Sequence, residues 1–295
     1  MVRPDVRRLL ARATAAIVLG TGVGLGGATA SANPIGIVPG GLDVGGLQRT
    51  YLLHVPTANP AGLVINLHGA GMTGGDQARA TNYDAVGGQH GFAVVHPDGV
   101  DFSWADGRGA SIPDRQGVDD VGFLVALAEK ITRDYGIDPG RVFATGMSAG
   151  GFMATRLGCE RADVFSAIAP VGGTLGSGVP CAPSRPVSVL EVHGTADPVV
   201  PFTGGTMVGR GGVSDVVAAR GLAERWRTID RCPADLVPDN TDVNGPGVQR
   251  VTAFGCADGT KVSFVQIDGG GHVWPTGYPF DAAQASALFF ATHGR

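Results

Sequence analysis

The chain has 295 residues, 22 Lys or Arg against 26 Asp or Glu, and a formal net charge of −4. That balance offers no basic footprint for nucleic acid or anionic lipid, so neither is expected as a partner. With 49 glycines present, a glycine motif carries weight only where its flanking elements agree with it.

Residues 1–32 read as an export signal. Arg3, Arg7, Arg8 and Arg12 precede an apolar stretch at 13–27, and Ala30-Ser31-Ala32 fits a small-residue cleavage site. The apolar run is short and glycine-rich for a membrane span, and no cysteine near the junction could carry a lipid. Cleavage removes four arginines and one aspartate, taking the net charge from −4 to −7. Residues 33–295 are long enough for one α/β domain with a sizeable core. The mature protein is expected outside the cell, free of the membrane and monomeric.

Residues 33–46 read as a Gly/Pro-rich lead-in. Strands are then expected at 49–55, 63–67, 92–96, 141–145, 167–171, 187–193 and 261–267, where apolar runs lie between turn residues. Helical patterns lie between them at 76–89, 119–135, 149 to about 159, 213–226 and 280–293, and 233–247 reads as a polar loop. Such alternation predicts a mostly parallel sheet with helices on both faces. Between 171 and 187 there is only a short Gly/Pro loop, so no large lid is expected and the cleft should be open.

Three side chains follow predicted strands in a telling order. Gly146-Met147-Ser148-Ala149-Gly150 sits between a strand and a helix, the setting of a serine on a tight elbow. Asp197 falls just past the strand at 187–193, and His272 lies on the glycine loop after 261–267. Ser, Asp, His is the chain order of α/β-hydrolases and differs from that of chymotrypsin or subtilisin. A serine hydroxyl needs an imidazole to take its proton, and the imidazole needs a carboxylate to fix its tautomer. The oxyanion needs donors: the Ala149 N–H directly after the serine, and one from His68-Gly69-Ala70-Gly71, assigned to Ala70 with Gly69 as the alternative.

Other candidates have plainer readings. His193 also follows a strand but precedes Asp197, which is the wrong order. Asp268 stands too close to His272, and Asp119 and Asp120 open a helix as capping residues. His54, His90, His96 and His293 read as structural or solvated. Four cysteines, Cys159, Cys181, Cys232 and Cys256, suggest two disulfides in an oxidising compartment, with three connectivities open. Neighbour pairing would close loops of about twenty residues. Zinc is the weaker reading because no C-x-x-C pair occurs, and neither metal nor cofactor is expected.

Taken in order, His68-Gly69-Ala70-Gly71, Val95-His96-Pro97-Asp98-Gly99, Ser103-Trp104-Ala105-Asp106-Gly107-Arg108-Gly109, Asp119-Asp120-Val121-Gly122-Phe123, the elbow, His193-Gly194-Thr195-Ala196-Asp197-Pro198 and Gly270-Gly271-His272-Val273-Trp274-Pro275 span nearly the whole mature chain. This set resembles the secreted polyhydroxybutyrate depolymerase/feruloyl esterase family. The resemblance implies Ser148 as nucleophile, Asp197 and His272 as its partners, and the 68–71 loop beside the oxyanion. It also implies Trp104 and Trp274 near the substrate cleft, where indoles would pack on polymer units or an aromatic acyl group. Ala70 and Ala105 depart from residues common in relatives, Gly and Asn respectively. The expected activity is serine carboxylic-ester hydrolysis through an acyl-enzyme, with a polymeric or oligomeric polyhydroxybutyrate-type polyester as substrate. The alternative is a feruloyl or acetyl ester on plant polysaccharide. An acyltransferase or serine peptidase on the same fold is the reading from another class.

Overall fold

In the computed structural model, residues 36–235, 237–238 and 245–294 are described. The expected export signal at 1–32 lies outside them. The sheet core consists of buried runs that alternate their side chains between two layers. β3 (Gly62–Leu67), β4 (Phe92–Pro97), β5 (Val142–Met147), β6 (Ala167–Val171), β7 (Ser188–Gly194) and β12 (Val262–Ile267) are all parallel to their neighbours in the order β4-β3-β5-β6-β7-β12. Strands buried on both faces can be continuously apolar, which is why their sequences read so clearly.

Antiparallel strands extend each edge. β1 (Gly36–Val44) pairs with β2 (Leu47–Val55), and β2 with β4. At the other edge β11 (Val248–Ala253) pairs with β12, and the two-residue β10 (Val237–Pro238) with β11. The result is a ten-stranded sheet. The lead-in at 33–46 thus contains an edge strand. Its Pro39 is tolerable there because an outermost strand has one unpaired side. The expected loop at 233–247 falls partly outside the described residues.

One layer holds Leu63, Ile65 and Leu67 of β3 under α4 (Asp120–Tyr135), α5 (Ala149–Glu160) and α6 (Ala219–Ile229). The opposite layer holds Val64, Val94 and Phe143 under α2 (Tyr83–Gln89) and α7 (Ala282–Ala291). The single helix expected at 76–89 is two, α1 (Gly74–Thr81) and α2, broken at Asn82, which adopts a left-handed φ of 50°. A five-residue helix, α3 (Ile112–Gln116), adds to the loops above the sheet.

The segment 213–226 departs from the helix expected there. Its first residues form β9 (Gly212–Val216), a hairpin with β8 (Gly205–Gly209), and the helix α6 begins only at Ala219. Val213, Val216 and Val217 mimic a helical stripe. The actual period is two, with side chains alternating between partly buried and exposed. No helix intervenes between β6 and β7, and the hairpin instead flanks the cleft.

Candidate active site

The candidate residues gather above the carboxyl ends of the parallel strands, where open α/β sheets build their sites. Ser148 follows β5, Asp197 follows β7, His272 follows β12 and Ala70 follows β3. The β7–β12 register sets Gly194 beside Ile267, and two further bonds join the loops: Thr195 N–H donates to Ile267 O and Ala196 N–H to Gly270 O, each at 2.9 Å.

Ser148 has φ 55° and ψ −117°, a conformation that L-residues avoid. The turn is held by the Ser148 N–H donating to Val171 O at 2.9 Å and by Phe152 N–H donating to Ser148 O at 3.0 Å. Glycine is required on both sides of it. A β-carbon on Gly146 would stand 2.6 Å from Leu67 O, and one on Gly150 only 2.1 Å from the same atom. Ala149 is the first residue of α5, so its N–H belongs to the unpaired, positive end of a twelve-residue helix.

His272 Nδ1 lies 2.8 Å from Asp197 Oδ2. Donation from Nδ1–H to the carboxylate leaves Nε2 with its lone pair free to accept a proton. Asp197 Oδ1 accepts the Val199 and Val200 N–H groups at 2.8 and 2.9 Å. Burial works to raise the Asp197 carboxyl, but His272 and these two amides outweigh it and hold the group below its ordinary range. Ser148, His272, Ala70 and Ala149 line one cavity of about 250 Å³, walled also by Val199, Arg108 and 207–211 of the hairpin. A serine hydroxyl, an imidazole bonded to a carboxylate behind it, and two candidate backbone donors are thus gathered at one cavity, a set that acyl transfer would require.

Neither tryptophan occupies the expected position in the cleft. Trp104 is fully buried, with its Nε1–H donating to His68 O at 2.9 Å and its ring 4.7 Å from the His68 ring. Trp274 packs in the core layer edge-on to Tyr83, ring centroids 6.3 Å apart. Backbone position near the site told nothing of side-chain direction, and both indoles turn into the protein.

Several supports had escaped the sequence reading. His68 accepts the Gly99 N–H on Nε2 at 2.9 Å, so its Nδ1–H donates to Gly69 O, also at 2.9 Å. Burial lowers its pKa, which keeps this clamp on the 68–71 loop neutral. Asp119 caps α4 through Gly122 N–H, whereas Asp120 is a buried partner of Arg49 at 2.7 Å and accepts Ala105 N–H. Beneath Asp197, His193 Nε2–H donates to Val200 O at 3.0 Å, and its Nδ1 stands 3.5 Å from the buried Glu191. The two disulfides that the sequence did suggest take the neighbour pairing, Cys159 to Cys181 and Cys232 to Cys256. The first ties the end of α5 to the loop after β6, whose Gly172 lies against His272 and Asp197.

Comparison with known proteins agrees with this architecture. The profile of the family described as Esterase PHB depolymerase matches residues 49–243. Feruloyl esterase C of Emericella nidulans is 30% identical over 243 residues, covering 78% of each chain. The bifunctional acetylxylan esterase/xylanase XynS20E of Neocallimastix patriciarum is 27% identical over 231 residues, 77% of this chain and 31% of that protein. The acetyl xylan esterase from Aspergillus awamori superposes with a TM-score of 0.58 at 17% identity, over 82% of this chain and 93% of that one. The protein has the α/β-hydrolase fold, with no large lid among the described residues, and is a serine carboxylic-ester hydrolase. The chain belongs to the Esterase PHB depolymerase family.

Proposed function

We propose that this is an exported polyester hydrolase that cleaves short-chain polyhydroxyalkanoate, as oligomers or amorphous polymer, through an acyl-enzyme on Ser148. The carrying observation is the shared cavity of Ser148 and His272, with Asp197 bonded to the imidazole from behind. In this reading His272 Nε2 takes the Ser148 proton as Oγ attacks the ester carbonyl. The Ala149 and Ala70 N–H groups hold the oxyanion. The imidazolium, steadied by Asp197, returns the proton to the leaving alcohol, and water repeats the cycle to free the acid.

The polyester preference is supported by the cleft's surroundings. Val199 and Val208 line the cavity and are exposed, Val273 is exposed beside His272, and exposed Phe102 accepts the Gly71 N–H on its carbonyl. Such an apolar rim suits an aliphatic polyester better than a hydroxyl-rich sugar chain. The relatives named feruloyl and acetylxylan esterase favour the second reading, an ester on plant polysaccharide. Export is supported by the 1–32 pattern and by two disulfides; no helix among the described residues is long and apolar enough to cross a membrane.

The test is a panel of amorphous polyhydroxybutyrate, methyl ferulate and acetylated xylan, run on wild type and Ser148→Ala. Clearing of the polyester by wild type, reduced at least about a thousandfold in the variant, is the expected result. Ferulate release without clearing would move the assignment to the polysaccharide ester. Retention of activity by Ser148→Ala would overturn the nucleophile.

A further inference from the structure

We propose that Arg210 forms a carboxylate-binding subsite, so that the preferred ester carries a free acid group close to the bond being cleaved. The proposal rests on the polyester reading above and narrows it from oligomers or amorphous polymer to acid-terminated oligomers. Its starting point is the charge on the cavity walls. Among the described residues, two arginines and His272 line the cavity, and no Asp or Glu does.

The two arginines are not equivalent. Arg108 is committed elsewhere: Nε and Nη2 donate to the buried Asp106 at 2.9 and 2.7 Å, and the guanidinium lies 3.7 Å over the Phe152 ring. Arg210 has no carboxylate partner among the described residues. It sits on the turn between β8 and β9, its guanidinium carbon 5.7 Å from the Phe102 ring centroid. Its Nη1 would be 3.1 Å from a β-carbon placed on Gly71, the residue after the candidate oxyanion donor Ala70.

The turn is fixed in place. Gly211 lies so close to the 110–111 segment that a β-carbon there would stand 2.1 Å from Ala110 O, and Arg115 Nη1 donates to Gly211 O at 2.6 Å. An exposed, uncompensated guanidinium carried on a fixed turn, at the rim of an otherwise neutral cavity, matches a carboxylate by charge and by its two-pronged geometry. The chain's net charge is −4, so a cationic cleft is not the by-product of a basic protein. A neutral ester gains nothing from it. A β-hydroxy acid oligomer does, because its acid end places a carboxylate three bonds from the terminal ester oxygen.

Two substrates separate the cases: the 3-hydroxybutyrate dimer as free acid and the same dimer as methyl ester. The quantity read is the ratio of their kcat/KM values in wild type, Arg210→Gln and Arg210→Lys. Wild type should favour the acid about tenfold, chiefly in KM, with the preference shrinking as salt is raised. Arg210→Gln should bring the ratio to one or below, and Arg210→Lys should keep part of it. A ratio unchanged in Arg210→Gln, or equal loss on both substrates, would overturn the proposal and make Arg210 structural or a general support of the oxyanion. Calorimetric binding of both dimers to Ser148→Ala, with and without Arg210→Gln, reads the subsite without turnover. Tighter binding of the acid that disappears with Arg210→Gln supports the subsite even if the dimer is never hydrolysed, which would count against the polyester reading alone. Equal binding of acid and ester overturns it.

Discussion

Trp104→Phe separates a substrate-binding tryptophan from one that holds the 68–71 loop, the proposed source of an oxyanion donor. The indole Nε1–H donates to His68 O at 2.9 Å within a fully buried site. Phenylalanine keeps most of the ring but removes the donor. The His68 carbonyl then lies buried and unpaired, a cost of about 1–3 kcal/mol. The smaller ring leaves a void beside His68, adding roughly 1 kcal/mol. A total of about 2–4 kcal/mol should lower Tm by roughly 5–10 °C in a domain of this size.

The same change should reach catalysis through the 68–71 loop. Losing one oxyanion donor entirely costs about 3 kcal/mol, so a loop that merely relaxes should cost less, bounding the fall in kcat at about a hundredfold. Because the indole does not line the cavity, the loss should appear in kcat and be equal for p-nitrophenyl butyrate and polymer. Kinetics on both substrates, with a thermal melt of each protein, measure all three quantities. If Tm held within about 1 °C while KM rose only for the polymer, the indole would be touching substrate and this account of Trp104 would fail.

Two other perturbations test the frame around the site. Burial pushes the Asp230 carboxyl up to about 7 from 3.8, so between those values the folded state holds more protons than the unfolded one. Stability should therefore fall as pH rises from about 4 to about 7 and level off above, by roughly 1.4 kcal/mol for each unit of separation. Asp230→Asn keeps an acceptor for the Val187 N–H and should flatten that slope in urea titrations run across the range; an unaltered slope would place its origin elsewhere. Replacing Cys159 and Cys181 together by Ser opens a loop with a sequence separation of 22 and should cost about 3 kcal/mol, read from the denaturant midpoint. An unmoved midpoint would mean that the α5 end is held by packing alone.

What could be read from the sequence was what lies next to a strand end. Ser148, Asp197 and His272 each follow a buried apolar run by a few residues, so a local pattern placed all three at one edge of the sheet. The parallel strands are buried on both faces and announce themselves by composition. The edges did not. β1 is exposed along one side and contains Gly36, Pro39, Gly40 and Gly41, so nothing in its composition marks a strand until β2 pairs with it. At 213–217, valines at mixed spacing satisfied two periodicities, and only pairing with β8 decides for the hairpin.

The deeper limit lies in how the cleft walls are made. Arg49 meets Asp120 across 71 positions, Trp104 meets the His68 carbonyl across 36, and Arg115 holds the hairpin across 96. Each contact joins residues whose local context reads as ordinary: a strand arginine, a loop tryptophan, a short-helix arginine. The chemistry of an ester hydrolase depends on groups at strand ends, which one sheet presents in a fixed order. Its selectivity depends on side chains brought in by loops, and their direction follows from packing rather than from order along the chain. Trp104 and Arg210 invert what sequence proximity suggests: the aromatic residue in the matched motif is buried, and an unremarked arginine on a hairpin turn lines the cavity that holds Ser148. Substrate choice in this fold should therefore respond more to exchange of the 205–216 hairpin than to any change at the motif tryptophans.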